Sequence, residues 1–287
     1  MADESQSLVE FRNVSLQYGN VWALKQVSFR LNAGETRIIF GAAGSGKTTL
    51  LKAVIGLVDV DEGEIRLFGE NVTERKEQDL FGLRGRAGFL FQEGGLFDSL
   101  TIGENVEYPL ANRQLGVEPQ SSKLGDSPET DFEARVRQVL RFVELEQTYS
   151  QFPSEVSGGM RRRVGIARAT VTEPPLVLYD SPTAGLDPIT ANLIMALLAK
   201  ERETHNTASL IVTHRYQDGE LMANFRFNLE KGELDPISEN DGEFAGRTKF
   251  MVMKEGEVVF VGSREELEAS EDAYVKRFVR HEEHHAG

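Results

Sequence analysis

The chain has 287 residues, 40% of them hydrophobic, with no cysteine and a formal net charge of −14. That length holds one large α/β domain, or a domain with a subdomain, around a sizeable core. The missing cysteines exclude a disulfide framework, thiolate zinc sites and cysteine nucleophiles, and suit a reducing cytosol. The negative balance is repelled by nucleic acid phosphate and by anionic lipid headgroups, so any work at a membrane requires a protein partner to hold the chain there. No stretch approaches the roughly 20 apolar residues of a membrane span. Met1-Ala2-Asp3-Glu4-Ser5 lacks the basic start and apolar run of a signal peptide.

In chain order, Val9 to Tyr18 and Val27 to Leu31 read as strands of an N-terminal sheet, and Arg37-Ile38-Ile39-Phe40 as a short buried strand. A glycine-rich stretch follows, Gly41-Ala42-Ala43-Gly44-Ser45-Gly46-Lys47-Thr48-Thr49. After it, Leu50, Val54 and Leu57 repeat at helical spacing, as do Leu51, Ile55 and Val58. Glu64 to Gly69 alternates like a half-exposed strand, and Ala87 to Gln92 is a short buried strand with a polar end. Arg113 to Thr130, rich in Gly, Pro, Ser and charge, reads as a surface loop. Asp131 opens a helix marked by Phe132, Val136, Val139, Leu140 and Val143.

Leu176 to Asp180 is a continuous apolar run ending in a carboxylate, as expected of a central parallel strand. Ala191 to Glu203 reads as a helix, and Ser209 to His214 as a second buried strand with a polar tip. Asn228 to Lys249 is polar and punctuated by Gly and Pro, like an insertion. Met251 to Gly262 reads as a hairpin across Glu255-Gly256, Ser263 as a helix cap, and a last helix carries Tyr274, Val275, Phe278 and Val279. Strands alternating with helices, with polar groups at strand C-termini, indicate a parallel sheet with its site along that edge.

The glycine-rich stretch fits G-x-x-x-x-G-K-[ST], a loop that wraps nucleotide phosphates. Its glycines let the backbone curl so that several N–H groups point at one anion. The helix N-terminus adds partial positive charge and Lys47 a full one. The hydroxyl of Thr48 is placed to meet Mg²⁺. A nucleotide with Mg²⁺ is the expected ligand.

Together these parts resemble the ATPase subunit of ATP-binding-cassette (ABC) transporters, over roughly Leu8 to Val279. The resemblance implies a P-loop NTPase (RecA-like) α/β fold, an ABC nucleotide-binding domain with an N-terminal antiparallel β-subdomain and an inserted helical subdomain. It divides the chain into a disordered start (1–7), an ATPase domain (8–262) and a helical tail (263–287). The helical subdomain falls at roughly 93–170 and the polar insertion at about 228–249.

The same resemblance assigns roles. Tyr18 takes the adenine-stacking position, and Gln92 the glutamine that reaches Mg²⁺ and attacking water. Val156-Ser157-Gly158-Gly159-Met160-Arg161 is similar to the signature motif. There Ser157, Gly158 and Gly159 face the γ-phosphate held by a second subunit, which implies a head-to-tail dimer around two ATP molecules. Asp180 ends the Walker B strand and holds Mg²⁺. Ala184-Gly185-Leu186-Asp187 is similar to the loop that contacts the other subunit, and His214 to the histidine that senses γ-phosphate. The basic run Arg161 to Arg163, with Arg168, is expected to serve the phosphate interface or local carboxylates rather than nucleic acid.

Ser181 departs from the family, which normally has glutamate there to orient or deprotonate the attacking water. A serine hydroxyl cannot take a proton at neutral pH, and losing a general base costs about 10²–10⁴ in rate. Three readings follow: slow hydrolysis by the remaining groups (Lys47, Gln92, Asp180 and His214), stable ATP-gated dimerisation with little hydrolysis, or replacement by another carboxylate, with Glu93 the candidate.

Within the family, Phe91-Gln92-Glu93-Gly94-Gly95-Leu96-Phe97-Asp98-Ser99-Leu100-Thr101 followed by Glu104-Asn105-Val106 resembles the MCE (mammalian cell entry) lipid-transport ATPases. Thr183 to Thr190 and Gly262 to Leu267 fit the same group, while Ser181 and the insertion depart from it. The implied partners are transmembrane permease subunits, a second ATPase subunit forming a homodimer, and accessory lipid-binding MCE proteins, with no nucleic acid. The implied place is cytoplasmic, peripheral on the inner face of the cell membrane. Leu96, Phe97 and Leu100 are expected to cradle a coupling helix or to fill the subdomain core. The tail helix latches onto a partner or packs on its own domain. His281, His284 and His285 are read as part of a disordered tail rather than a metal site.

Overall fold

A computed structural model describes residues 7–92, 94–112, 128–238, 241, 244 and 246–279, with the side chains of 128–131 excepted. The expectations for residues 1–6, for Glu93 and for the terminal histidines lie outside the described residues.

Two sheets organise the domain. β1 (Val9–Tyr18) turns back tightly into β2 (Val21–Leu31) and pairs on its other side with β4 (Glu62–Leu67), which carries the two-residue β5 (Glu70–Asn71). This antiparallel sheet has the order β2-β1-β4-β5. Its β2 begins six residues before Val27 because Val21 and Trp22 are largely exposed and break the inside-out alternation that the sequence reading relied on.

The larger sheet has the order β12-β11-β3-β8-β7-β6. β3 (Thr36–Gly41), β6 (Ala87–Leu90), β7 (Leu176–Asp180), β8 (Ala208–Val212) and β11 (Thr248–Lys254) run parallel, and β12 (Glu257–Gly262) closes one edge antiparallel. Every residue of β3, β7 and β8 is buried, as expected of strands covered on both faces. One core lies between this sheet, the first sheet and α1 (Lys47–Val54), with Phe11, Leu24, Leu50, Ile65, Leu178 and Leu210. The other lies on the opposite face, where Phe40, Tyr179 and Ile211 meet the remaining helices.

α2 (Glu77–Arg84) leads into β6. Between β6 and β7 lie α3 (Ile102–Ala111), α4 (Pro128–Phe142) and α5 (Gly158–Thr170), in the stretch expected to form a helical subdomain. α4 starts before Asp131, at Pro128, whose fixed φ suits a first helical turn. α5 lies tightly on β6: a methyl group at Gly88 would come within 2.2 Å of the Ala169 carbonyl oxygen, and one at Gly165 within 2.6 Å of Leu90. α6 (Pro188–His205) and α7 (Tyr216–Asn224) follow β7 and β8.

The segment read as a polar insertion opens as an ordered hairpin, β9 (Phe225–Asn228) with β10 (Glu233–Pro236). Asn228 closes its turn by accepting from the N–H groups of Glu230 and Lys231 at 3.0 and 3.1 Å. Phe227 and Leu234 pack on the core while staying partly exposed, a signal too weak to outweigh the Gly and Pro around them. β11 also begins at Thr248, inside the expected insertion.

The tail forms α8 (Arg264–Ala269), capped by Ser263 and Glu266, and α9 (Ala273–Val279). Both dock on their own domain. Leu267 and Val275 are buried, and Phe278 stacks on Phe40 with ring centroids 6.0 Å apart.

Candidate nucleotide site

The C-terminal ends of the parallel strands deliver the site. β3 ends at Gly41 and runs into the phosphate loop. Gly44 and Gly46 adopt φ of 76° and 101°, values open to glycine and strained for other residues. Gly46 also passes so near β2 that a methyl group would lie 2.0 Å from the Ala23 carbonyl oxygen. A cleft of about 380 Å³ opens above the loop. It is lined by Ala43, Gly44, Ser45, Gly46, Lys47, Thr48 and Thr49, by Tyr18, Val21, Trp22 and Ala23 from the β1–β2 hairpin, and by Gln92, Asp180, Ser181, Val212 and His214 from the other strand ends. Gly41 and Ala42 lead into the loop without lining the cleft.

Lys47 is curled back on the loop. Its Nζ donates to the carbonyls of Gly41 and Ala42, both at 2.8 Å, and to Ser45 Oγ at 3.3 Å. Burial pushes its pKa down to about 8, against the pull of Asp180. Burial also holds His214 below the ordinary 6.5, helped by the charge of Lys47 and opposed by Asp180. Its imidazole is therefore neutral at pH 7, with one nitrogen free to donate and one to accept.

The Lys47 shift has a consequence for phosphate binding. The bound anion favours the protonated amine, so binding takes up a proton above about pH 8. ATP affinity is expected to fall as the pH rises from 8 to 9.5, and calorimetry in two buffers of different ionisation enthalpy measures the uptake. A flat profile with no uptake would contradict the assignment of Lys47 to the phosphates.

Thr48 Oγ1 donates to Asp180 Oδ2 at 2.9 Å, across 132 residues of sequence. A hydroxyl and a carboxylate so placed, with the Gln92 amide in the same cleft, form an all-oxygen set of the kind Mg²⁺ takes. Ser181 sits beside them in a left-handed conformation (φ 53°), with its N–H on the Val212 carbonyl at 2.9 Å and its Oγ donating to Asp180 Oδ1 at 3.3 Å.

Ser157, Gly158, Gly159 and Asp187 are not in this cleft. Ser157 caps α5 by accepting from the Met160 N–H at 3.2 Å, and Asp187 caps α6 by accepting from the Thr190 N–H at 3.0 Å. The two helix starts abut, since a methyl group at Gly159 would stand 2.9 Å from Thr190 Cγ2. They form a second cluster of N-termini on the same chain.

The arginines of α5 serve backbone carbonyls besides the local carboxylates expected of them. Arg161 donates to the carbonyls of Pro153 and Val156, Arg162 to those of Gln92 and Ala184, and Arg163 to that of Val143. Arg168, buried, donates to the carbonyls of Gly94 and Gly95 at 3.0 and 2.7 Å. Apart from Pro153, which opens a short 3-10 helix, their partners are loop carbonyls outside any strand or helix, and a guanidinium supplies several donors in a fixed fork. Arg163 also approaches Glu144 at 3.9 Å, a local carboxylate of the kind expected. Arg162 thereby ties the Gln92 loop to the turn before Asp187.

Sequence reading gives no individual role to three further groups. Trp22, the sole tryptophan, stands in the cleft beside Tyr18; its place two residues after Asn20 in a tight hairpin was the available signal. Asp218 is buried and accepts from the hydroxyls of Thr183 and Thr213, each at 2.5 Å, which joins the turn after Ser181 to the one before His214. Asn105 is fully buried and holds the loop before α3 through Phe97 and through the carbonyls of Leu100 and Thr101. That loop presents Phe97, packed on Tyr108 at 4.8 Å and partly exposed with it. Leu96 packs against the core below.

The ABC transporter family model matches residues 24–184. The methionine import ATP-binding protein MetN 1 of Bacillus thuringiensis is 34% identical over 231 residues, 79% of this chain and 65% of that protein. The Arabidopsis thaliana protein Trigalactosyldiacylglycerol 3, chloroplastic, is 36% identical over 233 residues, 75% of this chain and 64% of that protein. The chain thus spans slightly less than two thirds of the length of these relatives. Among solved structures, the dimeric post-hydrolysis state of the ATP-binding cassette MJ0796, bound to ADP and Pi, superposes with a TM-score of 0.69 at 30% identity, covering 89% of this chain and 98% of that one.

Proposed function

The chain belongs to the ABC transporter family, and from that premise we propose that it binds and hydrolyses ATP to drive a transporter, as one half of a head-to-tail dimer. The observation that carries this reading is the division of the site. Lys47, Thr48, Asp180, Gln92 and His214 share one cleft, while the capped N-termini at Ser157 and Asp187 lie outside it on the same chain. A second copy, turned head to tail, brings its own Ser157, Gly158 and Gly159 to the open side of the cleft. The homologous cassette MJ0796 is itself dimeric.

In that arrangement the rings of Tyr18 and Trp22 stack on the base. Lys47 leaves its loop carbonyls for the phosphates, and Mg²⁺, when bound, neutralises phosphate charge. Thr48, Asp180 and Gln92 would hold it. Neutral His214 meets the terminal phosphate as donor or acceptor. The partner's signature N-terminus adds a further anion site. Closure of the dimer moves the membrane subunits, and hydrolysis resets it.

Among the described residues no helix is long and apolar enough to cross a membrane. We assign attachment to the cytoplasmic face to permease subunits, on the family resemblance, and their docking to the apolar patch around Phe97 and Tyr108. For cargo we favour lipid, on the Phe91–Val106 and Thr183–Thr190 motifs and the 36% identity to a plant protein named for a galactolipid. Accessory lipid-binding MCE proteins belong to that reading. The methionine importer at 34% marks the alternative cargo class.

The test is co-purification with the membrane subunits, ATPase assay in Mg-ATP, and mass spectrometry of the bound cargo. Phospholipid or sterol in the complex is expected. Recovery of an amino acid, with no lipid, would overturn the cargo assignment while leaving the ATPase role standing. Ser181 favours one second reading: an ATP-gated module with little turnover. Tight nucleotide binding without phosphate release would select it.

A further inference from the structure

The tail helix reaches the phosphate loop. Asp272 caps α9 by accepting from the N–H groups of Tyr274 and Val275 at 2.7 and 3.1 Å, which anchors the start of the helix that carries the Tyr274 ring. The ring lies edge-on to Phe278, itself stacked on Phe40 of β3, and Lys254 sits over its face. So anchored, the Tyr274 hydroxyl donates to the Met253 carbonyl at 3.0 Å and accepts from the Ala42 N–H at 3.1 Å.

That N–H belongs to the peptide plane joining Gly41 to Ala42. The carbonyl of the same plane is Gly41 O, which accepts from Lys47 Nζ at 2.8 Å. One plane is therefore held from both sides, by Tyr274 on its N–H and by Lys47 on its C=O. Gly41, at φ 156°, has no side chain to resist rotation of that plane. A side chain there is excluded anyway, because a methyl group would fall 2.5 Å from Met253 O. When Lys47 turns toward phosphate, the carbonyl side of the plane loses its donor. Tyr274 is then the remaining side-chain grip on it.

We propose that Tyr274 is a positioning residue for nucleotide binding: through Ala42 it fixes the first peptide plane of the phosphate loop, and so couples docking of the C-terminal helix to ATP affinity. This deepens the ATP-binding reading and rests on it. By linkage, bound nucleotide stabilises the docked tail by the same factor that the docked tail improves binding.

The experiment uses the full chain and the fluorescence of Trp22, the sole tryptophan, which lines the cleft. Tyr274→Phe removes one hydroxyl and keeps the ring packing. Losing one net hydrogen bond is worth about a three- to tenfold rise in the Kd for ATP and ADP. AMP, which carries only the phosphate nearest the sugar, is expected to bind the variant and the wild type alike. The KM for ATP rises while kcat at saturation holds. ATP protects the tail from proteolysis less in the variant than in wild type. Lys254→Met, which touches the Tyr274 ring and spares the hydroxyl, serves as the packing control and is expected to leave ATP affinity unchanged.

Equal ATP affinity in wild type and Tyr274→Phe overturns the proposal. So does a loss shared equally by AMP and by Lys254→Met, which would mark general loosening. Absent ATP binding in the wild type would instead defeat the underlying ATP-binding reading.

Discussion

A Lys47→Ala variant is expected to lose Mg-ATP affinity by about 30- to 1,000-fold while keeping its fold. The magnitude follows from charge-assisted hydrogen bonds between one ammonium and phosphate oxygens, worth roughly 2–4 kcal/mol in a partly dehydrated cleft. The expectation about the fold follows from the pKa. Burial lowers Lys47 to about 8, so the native state disfavours this charge relative to water. Its donors rest on two carbonyls and a hydroxyl of the same loop. An amine held at such cost, with only local partners, stabilises the resting protein little. Thermal unfolding near the wild-type temperature, with calorimetric ATP binding lost, is the expected pair of results. Undiminished binding would remove Lys47 from the phosphate site and the proposed function with it.

The phosphate loop and the strand ends were legible in sequence because their physics is local. A buried apolar run with a polar tip marks a central parallel strand, and two such runs deliver Asp180 and His214 to the edge where β3 opens into the phosphate loop. Glycines at Gly44 and Gly46 announce positive φ. What stayed hidden depends on residues distant in sequence. The bond from Thr48 to Asp180 crosses 132 residues, and that from Ala42 to Tyr274 crosses 232. Nothing in the run Arg161-Arg162-Arg163 says that its donors end on loop carbonyls; a charge pattern records the donor and leaves the acceptor unstated. Asp218 and Trp22 were passed over for a related reason. One is a lone carboxylate in a helix and the other an exposed ring in a strand, and each gains meaning only from the turn that the fold sets beside it. The β9–β10 hairpin was lost to its own half-burial.

Ser181→Glu is expected to raise ATP turnover at saturation by about 10²–10⁴, or roughly 3–5 kcal/mol of barrier, the usual contribution of a general base. The backbone is already set for it. The Ser181 N–H is held by Val212 and its carbonyl accepts from the Ala184 N–H at 3.2 Å, so the left-handed conformation is fixed by neighbours rather than by the serine side chain. The short hydroxyl ends on Asp180 Oδ1; a longer side chain from the same Cβ reaches past it into the cleft. A second carboxylate beside Asp180 disfavours its own ionised form, which moves its pKa toward the working pH and suits it to accept a proton from water. The added negative charge weakens ATP binding slightly, so the gain should appear in kcat and not in KM. The measurement is phosphate release by wild type, Ser181→Glu and Glu93→Gln. A large gain for Ser181→Glu with no effect of Glu93→Gln means that the natural chain works slowly with Lys47, Gln92, Asp180 and His214 alone. No gain for Ser181→Glu, combined with a loss in Glu93→Gln, means that a carboxylate from the Gln92 loop already does the work, and the serine is then no defect at all.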